Sequence, residues 1–336
     1  MKSGWKKIGV PRGFSYYLYP AFFETFFHEL GFEVADSGKT SRDMLRASQA
    51  FSETEHCLSH KIFDAHLFAL AGKADAVFVP RILSMTKNYL CCAKFGAVPD
   101  AGRSVLLAMT RAAGVRGMAV LSMDINETKE PLKKTALRFA AELGAGKARS
   151  RCAWEKASEA MKAAFGRQDE RNRALSGRGR FLLLGHSYTL GEPLIMEPVL
   201  KKLSSLNIKP EPSAASRPLE IMSFHCPPEP FKGGFSPFGG MFSFEMPTPV
   251  RWCFASKMRR KLQTLDAPRY AGVIWVSVFN CGPDSVMGAL FREVCGRKSI
   301  PFLELLIDEH TAAAGIDTRI EAFVDSLEWR KARQCV

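Results

Sequence analysis

The stretch KIGVPRGFSYYLYPAFFETFFHELGFEVADS, residues 7–37, has the pattern of a strand, a helix and a second strand. A short apolar run leads into a turn with Pro11 and Gly13, and an aromatic segment of helical character follows up to Gly31. The segment after Gly31 is again short and β-like. Two β-type runs separated by a helix are typical of a parallel sheet flanked by helices. This stretch therefore predicts an α/β fold.

The same alternation continues along the chain and divides it into two units. The segment SGRGR, residues 176–180, breaks the helical period before a second alternating unit begins. We therefore expect an N-terminal α/β domain with a helical C-terminal extension over residues 1–178 and a second α/β domain over residues 179–336. The segment rich in Pro, Gly and Phe at 226–249 is predicted to be a long functional loop. Further helices are predicted at 41–51, 57–73, within 128–175, 198–206, 284–295 and 317–332, and further strands at 74–82, 118–125, from 181, 270–280 and 301–308.

Composition is that of a folded protein without membrane spans. Of the 336 residues, 46% are hydrophobic and 24% are charged, as in ordinary globular chains. No apolar run approaches the roughly 18 residues of a membrane helix. The N-terminus lacks the pattern of a secretory signal. We therefore expect a cytoplasmic protein that does not bind membranes.

The net charge of +13 suits an anionic partner or substrate, such as a coenzyme A thioester. Residues 147–180 carry ten basic and four acidic residues, a pattern that a solvated helix face and a basic linker also explain. Aromatic residues are not interleaved with this basic run, and no nucleic-acid motif is present, so no nucleic-acid partner is expected. SGRGR lacks the GxxxxGK[ST] pattern, so no nucleotide site is predicted.

Three cysteine positions are the candidates for metal or cluster chemistry. The chain has nine cysteines, and an odd number in a reducing compartment argues against a disulfide framework. Cys57 begins a predicted helix, Cys91 and Cys92 follow the strand AVFVPRI, and Cys281 follows the strand GVIWVSVFN. These are the positions at which an open α/β sheet places its ligands. No CxxC pair is present, so a zinc ribbon or a ferredoxin-type run is not indicated. Three thiolates from separate loops suit a cubane whose fourth iron stays open.

The surroundings of Cys281 in NCGPDS favour an anionic ligand. Gly282 permits close approach, Pro283 stiffens the turn, and Asp284 or Ser285 is a candidate cap for the next helix. The amide end of that helix favours a thiolate or an anionic cluster. The same reasoning applies to Cys57, for which Ser52 or Thr54 is the candidate cap.

Six blocks of the chain together resemble the acyl-CoA dehydratase activase-related family, also called CoA protein activases. That family is similar to the cluster-bearing subunits of 2-hydroxyacyl-CoA dehydratases and benzoyl-CoA reductases, and to double-cubane cluster proteins. The blocks fall within residues 7–100 and 181–331. They read IGVPRGFSYYLYPAFFETFFHELGFEV, CLSHKIFDAHLFAL, VFVPRILSMTKNYLCCAKFGAVPD, LLLGHSYTL, FNCGPDS and FLELLIDEHTAAAGIDTRIEAFVDSLE.

The resemblance implies two Rossmann- or flavodoxin-like domains with mostly parallel sheets and a [4Fe–4S] cluster in the cleft between them. It assigns the ligand role to Cys57, Cys92 and Cys281, with a double-cubane [8Fe–9S] cluster as the alternative cofactor. Cys92 is preferred because the family's Cys-x-Lys-Phe pattern continues as CAKF, and Cys91 is the alternative. The implied function is low-potential electron transfer, or a dehydratase-type reaction on an acyl-CoA or small acceptor, driven by an ATP-hydrolysing activator protein. A non-catalytic cluster carrier and a homodimeric assembly stay open.

Other readings of these residues also stay open. His56, Cys57 and His60 could form a zinc-binding turn, and the thiols could be inert core residues. His186 and His310 are candidate proton carriers, with loop-stabilising roles as the alternative. Candidate cofactor-binding residues are Gly282, Ser285 and Lys94; Arg81 is a further cation and Glu309 a further acidic candidate. The remaining cysteines are expected to be structural or surface thiols: Cys152, Cys226, Cys253, Cys295 and Cys335.

Overall fold

The computed structural model describes residues 4–85, 89–114, 117–175, 177, 179–214, 251–252 and 270–334. Its strands are β1 (Lys7–Val10), β2 (Glu33–Asp36), β3 (Ala76–Phe78), β4 (Arg81–Ser84), β5 (Tyr89–Leu90), β6 (Ala119–Leu121), β7 (Asp124–Asn126), β8 (Arg180–Gly185), β9 (Lys209–Ala214), β10 (Arg251–Trp252), β11 (Gly272–Val278) and β12 (Phe302–Ile307). Its helices are α1 (Ser15–Leu18), α2 (Phe22–Leu30), α3 (Arg42–Ser48), α4 (Leu58–Leu70), α5 (Ala93–Ala113), α6 (Leu132–Glu142), α7 (Lys147–Ala174), α8 (Ser187–Leu190), α9 (Pro193–Ser205), α10 (Gly282–Arg297) and α11 (Ala313–Gln334).

Two parallel four-stranded sheets organise the molecule, as the alternating pattern predicts. The first has the order β2-β1-β3-β6 and the second the order β12-β11-β8-β9. Every pairing within them is parallel. The mixed α/β class with mostly parallel sheets is therefore confirmed, and it agrees with Rossmann- or flavodoxin-like units.

The two faces of the second sheet pack against different apolar cores. Leu183 of β8 and Ile274 of β11 belong to a large core that also contains Ile8 and Phe78 of the first sheet. Leu182 and Trp275 belong to a smaller core on the opposite face. This division follows from the alternation of side chains along a strand. A strand buried on both faces reads as a continuous apolar run, as GVIWVSV does.

The helix after Gly146 packs against the aromatic helix of the opening stretch. Phe22 of α2 meets Trp154 of α7 edge to face, with ring centroids 5.4 Å apart. Phe23 and Phe27 lie against Phe78 of β3. The helical region predicted within 128–175 is thus two helices, because the chain turns at Gly144 with a φ of 89°.

Two predicted strands are each divided in two. The run 74–82 forms β3 and β4, and the run 118–125 forms β6 and β7. The breaks lie side by side, and the hydrogen bonds continue across them from Val79 N to Leu121 O (2.8 Å) and from Arg81 N to Met123 O (3.0 Å). Pro80, between these two donors, has no N–H to give.

The long helix α5 and the edge strand β9 are not in the sequence-based prediction. Gly96, Pro99 and Gly102 within α5 disfavour a helix. Both glycines nevertheless allow close packing, because an added Cβ atom would lie 3.2 Å from Leu83 at Gly96 and 3.3 Å from Leu67 at Gly102.

The strand β9 tolerates its two prolines because of its hydrogen-bonding direction. The backbone N–H of Lys209 donates to Gly179 O on the side of β8. Because alternate N–H groups point to opposite sides of a strand, Pro210 and Pro212 fall on the unpaired edge.

The predicted helix at 198–206 begins earlier, at Pro193. Glu192 caps this helix, because its carboxylate accepts a hydrogen bond from Leu194 N.

Some predictions fall on parts of the chain that the structure does not describe. These are the loop at 226–249 and the cysteines Cys226, Cys253 and Cys335. The boundary at 178/179 stays a prediction. No helix in the described parts of the chain combines the length and apolarity needed to cross a bilayer.

Candidate metal centre

Three cysteines each lie immediately before a helix. Cys57 is the N-cap residue of α4, Cys92 of α5 and Cys281 of α10. None of their side chains accepts a capping hydrogen bond from its helix. The backbone N–H groups of His60 and Asp284 nevertheless lie close enough to the thiols of Cys57 and Cys281 to offset part of the rise in their pKa. The positive ends of three helices surround the Sγ atoms.

The three cysteines line one cavity of about 30 Å³. Cys57 and Cys281 are buried, at 5% exposure each, and Cys92 is partly buried. The residues of its wall lie in the segments that connect the strands of both sheets. The cavity therefore lies where the two halves of the chain meet. Its lining residues are Phe14, Cys57, Cys92, Lys94, Phe95, Tyr188, Asn280, Cys281, Gly282 and Pro283.

Hydrogen bonds hold the three cysteine-bearing segments together. Leu58 N, at the start of α4, donates to Phe279 O at the end of the β11 segment (3.3 Å). The carbonyl oxygen of Glu55 accepts from Asn280 Nδ2 (2.8 Å) and from Lys94 Nζ (3.1 Å). One backbone carbonyl thus joins the segments before Cys57, after Cys92 and before Cys281.

Burial keeps two of these thiols protonated when nothing binds them. Burial raises the pKa of the Cys57 thiol, and the Lys94 ammonium offsets part of this effect. Burial, together with the negative charge of Asp284, raises the pKa of Cys281 as well. A metal ion or cluster bound as thiolates would therefore have to release these protons.

Aromatic side chains close the cavity on one side. Phe14 packs against Phe95 and Tyr188, with ring centroids 4.9 and 5.4 Å apart. Phe14 has a φ of 41°, a region that bulky residues rarely occupy. Strained backbone conformations persist where the surrounding structure enforces them, and they are frequent at functional sites. The apolar wall limits the access of water to the thiols.

His186 lies beside Cys281 and Asp284, and all three residues are buried. Its Nε2 is 3.1 Å from Asp284 Oδ1, and its ring stacks on Tyr188. Asp284 accepts a bond from Val278 N (3.0 Å), and the N-cap residue of α10 is Cys281 and not Asp284. Single ligand atoms of His186, Cys281 and Asp284 lie within 4.8 Å of one another.

The other predicted residues lie in different places. Lys94 and Gly282 line the cavity, and Ser285 Oγ donates to Cys281 O (3.1 Å). Cys91 is not among the lining residues; its N–H donates to Leu83 O (2.9 Å). His310 lines a separate cavity of about 360 Å³, so it is not brought to the cysteines.

The remaining candidates have structural partners or positions. Arg81 pairs with Asp100 and Asp124, and Glu309 pairs with Lys61. Cys152 is exposed, and Cys295 is fully buried in the smaller core. The ligand and catalytic roles assigned above stay predictions.

The zinc-binding turn predicted from His56, Cys57 and His60 has a different third member. Ligand atoms of His56, His60 and Asp64 lie within 4.8 Å of one another, and Cys57 does not belong to this group. Asp64 is two helical turns after Cys57 and fully buried. Sequence spacing could have indicated it, because His60 and Asp64 are four residues apart on one helix.

The donor set fits an iron–sulfur cluster, but the space must widen to hold one. Three uncapped cysteine side chains beside helix N-termini are suitable thiolate ligands. At about 10–15 Å³ for each water, a cavity of about 30 Å³ holds about two water molecules. A cubane of four iron and four sulfide atoms is larger, so the cysteine-bearing segments would have to separate to accept it.

Comparison with known proteins gives one family. The family model described as CoA enzyme activase uncharacterised domain (DUF2229) matches residues 7–213. No curated protein matches the chain. The matched segment includes Cys57, Cys92 and His186 and ends before Cys281. Because it spans more than half of the 336 residues, this chain belongs to the family of CoA enzyme activase-related proteins that this domain defines.

Proposed function

We propose that this chain is an iron–sulfur redox component of a CoA enzyme activase system. Cys57, Cys92 and Cys281 hold one [4Fe–4S] cluster, with an iron left open to an acceptor. The observation that carries this proposal is the convergence of three uncapped cysteine side chains, from three helix N-termini, on one cavity. When bound, the cluster supplies one-electron transfer.

The chain's own residues prepare this site in three ways. The N-termini of α4, α5 and α10 favour negative charge, and the Lys94 ammonium on the cavity wall adds to this field. Phe14, Phe95 and Tyr188 exclude water from the thiols. Asp284 and His186, whose Oδ1 and Nε2 atoms are 3.1 Å apart, provide polar groups beside Cys281.

The partner of this component is an ATP-hydrolysing activator protein that supplies electrons. Family membership supports an enzyme-system partner, and the net charge of +13 suits an acidic docking face or a coenzyme A thioester. A cytoplasmic location and a homodimeric assembly belong to the same proposal.

A cluster carrier without substrate turnover is the second candidate, and membership of the activase-related family is equally compatible with it, because an accessory protein of such a system needs no substrate pocket of its own. Single-turnover assays separate the two: a redox component reduces an added small oxidant repeatedly when an activator is supplied, whereas a carrier transfers its cluster once.

Anaerobic reconstitution tests the proposed cluster. We expect about four iron and four sulfide ions per chain and an electron paramagnetic resonance signal after reduction. The single variants Cys57→Ala, Cys92→Ala and Cys281→Ala should each lose most of the iron. About eight iron ions per chain would instead indicate the double-cubane alternative.

Matched controls are available among the other cysteines. Cys152→Ala changes an exposed thiol, and Cys295→Ala changes a buried thiol in the smaller core. Both should retain the cluster. Cys91→Ala compared with Cys92→Ala decides which of the two is the ligand. Unchanged iron in a folded triple variant of Cys57, Cys92 and Cys281 would refute the proposal.

A further inference from the structure

A second group of potential ligands lies around the start of α4, next to Cys57 in the sequence. It consists of His56, just before α4, and of His60 and Asp64 on the same face of that helix. His56 Nδ1 is 2.8 Å from Asp64 Oδ2, and His60 Nε2 is 3.9 Å from Asp64 Oδ1. Two ligands bound to one zinc ion at about 2.1 Å each can be no more than about 4.2 Å apart. Both distances are within this span.

Three polar atoms of this group are buried and make no hydrogen bond within the described residues: both ring nitrogens of His60 and one carboxylate oxygen of Asp64. His60 is 2% exposed, and neither of its ring nitrogens makes a hydrogen bond to the described residues. Asp64 is fully buried, and its Oδ1 also lacks a hydrogen bond within the described parts of the chain. Buried polar atoms are normally satisfied, so an exception calls for a missing partner.

Asp64 also has no Lys or Arg partner: among the described residues its partners are Ser52, His56 and His60. A buried carboxylate normally requires a full positive charge or a metal ion nearby. Ser52 Oγ donates to Asp64 Oδ2 (2.6 Å) and orients the carboxylate, as outer partners of metal ligands do.

We infer that His56, His60 and Asp64 bind one divalent transition-metal ion, separate from the three-cysteine site and for which Zn²⁺ is a suitable probe. Two imidazoles and one carboxylate are a common donor set for zinc with one open position.

Binding changes the arrangement of the two imidazoles. The rings of His56 and His60 are stacked, with centroids 3.6 Å apart and an angle of 6° between their planes. A metal ion lies in the plane of each imidazole that binds it, so both rings cannot bind one ion while they are parallel. One ring must therefore rotate when the metal enters, and Phe14, whose ring meets that of His60 edge to face at 5.3 Å, bounds this movement.

Zn²⁺ titration of a variant without the three cysteines tests this inference. In the background Cys57→Ser, Cys92→Ser, Cys281→Ser, equilibrium dialysis should find about one Zn²⁺ per chain. Adding His60→Gln should weaken binding at least tenfold, as should His56→Gln, which changes a more accessible ring. His66→Gln is the matched control, because His66 is buried on the same helix but pairs with Thr40. Equal binding in all variants, or no binding in the background, would overturn the inference.

Cobalt substitution separates this site from a thiolate site. Co²⁺ added at one equivalent to the Cys92→Ser, Cys281→Ser variant, in which the three-cysteine site is incomplete but Cys57 is retained, should give visible absorption without the strong near-ultraviolet band of a cobalt–thiolate bond. That band would show that Cys57 is a ligand of this ion, and the inference would fail. Neither experiment depends on iron, so failure of this site and failure of the cluster are distinguishable.

Discussion

At the scale of single residues, burial decides the chemistry of the titratable groups. Cys57, Cys281, His60 and His66 are all nearly inaccessible, and burial favours the neutral form of each. Of these four, Cys57, Cys281 and His60 are candidate ligands, and the protein thus holds them as uncharged groups in the absence of metal. A metal cation that binds the thiols must displace their protons. A neutral imidazole can bind the cation without losing a proton.

His66 gives a pH dependence of stability. Burial lowers its pKa to about 4 from the ordinary 6.5, so the unfolded chain binds a proton more readily between these values. The stability contribution is complete above about pH 6.5 and is lost as the pH falls towards 4. At about 1.4 kcal/mol for each pKa unit, the loss approaches about 3 kcal/mol.

Urea denaturation of the wild type and of His66→Gln between pH 4 and 7.5 measures this contribution. Gln can still bond to Thr40, which His66 contacts at 3.0 Å. The wild type should lose more stability on acidification than the variant does. Parallel curves for the two proteins would contradict the assignment.

Single residues also show which parts of the site can be read from the sequence. Cys57, Cys92 and Cys281 are identifiable because each follows a strand or begins a helix, and parallel sheets collect such positions at one edge. Asp284 was expected to be a cap, and its contact with His186, about a hundred residues away, depends on how β8 and β11 pair. Phe14 and Tyr188 have ordinary aromatic identities, so nothing local marks them as cavity walls.

At the scale of elements, local signals predict most helices and strands but fail where packing opposes propensity. Gly31 ends α2 as expected, whereas α5 forms despite Gly96, Pro99 and Gly102 because its neighbours require close approach. The strand β9 contains two prolines, which only a sheet edge tolerates. These outcomes depend on contacts between elements that are distant in sequence.

Two glycine-to-alanine substitutions, one at the C-terminal end of α2 and one within α7, should change the free energy of unfolding in opposite directions. Gly31→Ala places a side chain at a φ of 93° and should lower the free energy of unfolding by about 1 kcal/mol or more. Gly166→Ala, within α7, meets no atom within 4 Å and should raise it by about 0.5–1 kcal/mol. Chemical denaturation of both variants checks the two signs. A stabilising Gly31→Ala would show that α2 does not end in the left-handed conformation.

At the scale of the whole molecule, the two sheets share one apolar core and meet at the cysteine cavity. Further contacts between the two halves lie outside the lining of this cavity. Tyr17 donates to Glu192 (2.9 Å), Arg42 donates to Thr311 O (2.7 Å), and Lys61 pairs with Glu309. A ligand bound by all three thiols would add a further connection between the halves.

Cluster incorporation should therefore raise the thermal stability of the whole chain. A ligand that binds the folded state alone stabilises it in proportion to the logarithm of its excess over Kd. Calorimetry under argon should give a higher Tm for the reconstituted protein than for the cluster-free protein. In Cys281→Ala this increase should disappear. An equal increase in that variant would show that the second half of the chain takes no part in binding.

The spacing of the three thiols has a consequence for biosynthesis. Cys57 and Cys281 are more than 200 residues apart in the sequence. A growing chain on the ribosome exposes Cys57 and Cys92 long before Cys281 emerges. Under the proposed cluster assignment, iron delivery to all three thiols would therefore be a late maturation event that follows synthesis of the chain through Cys281.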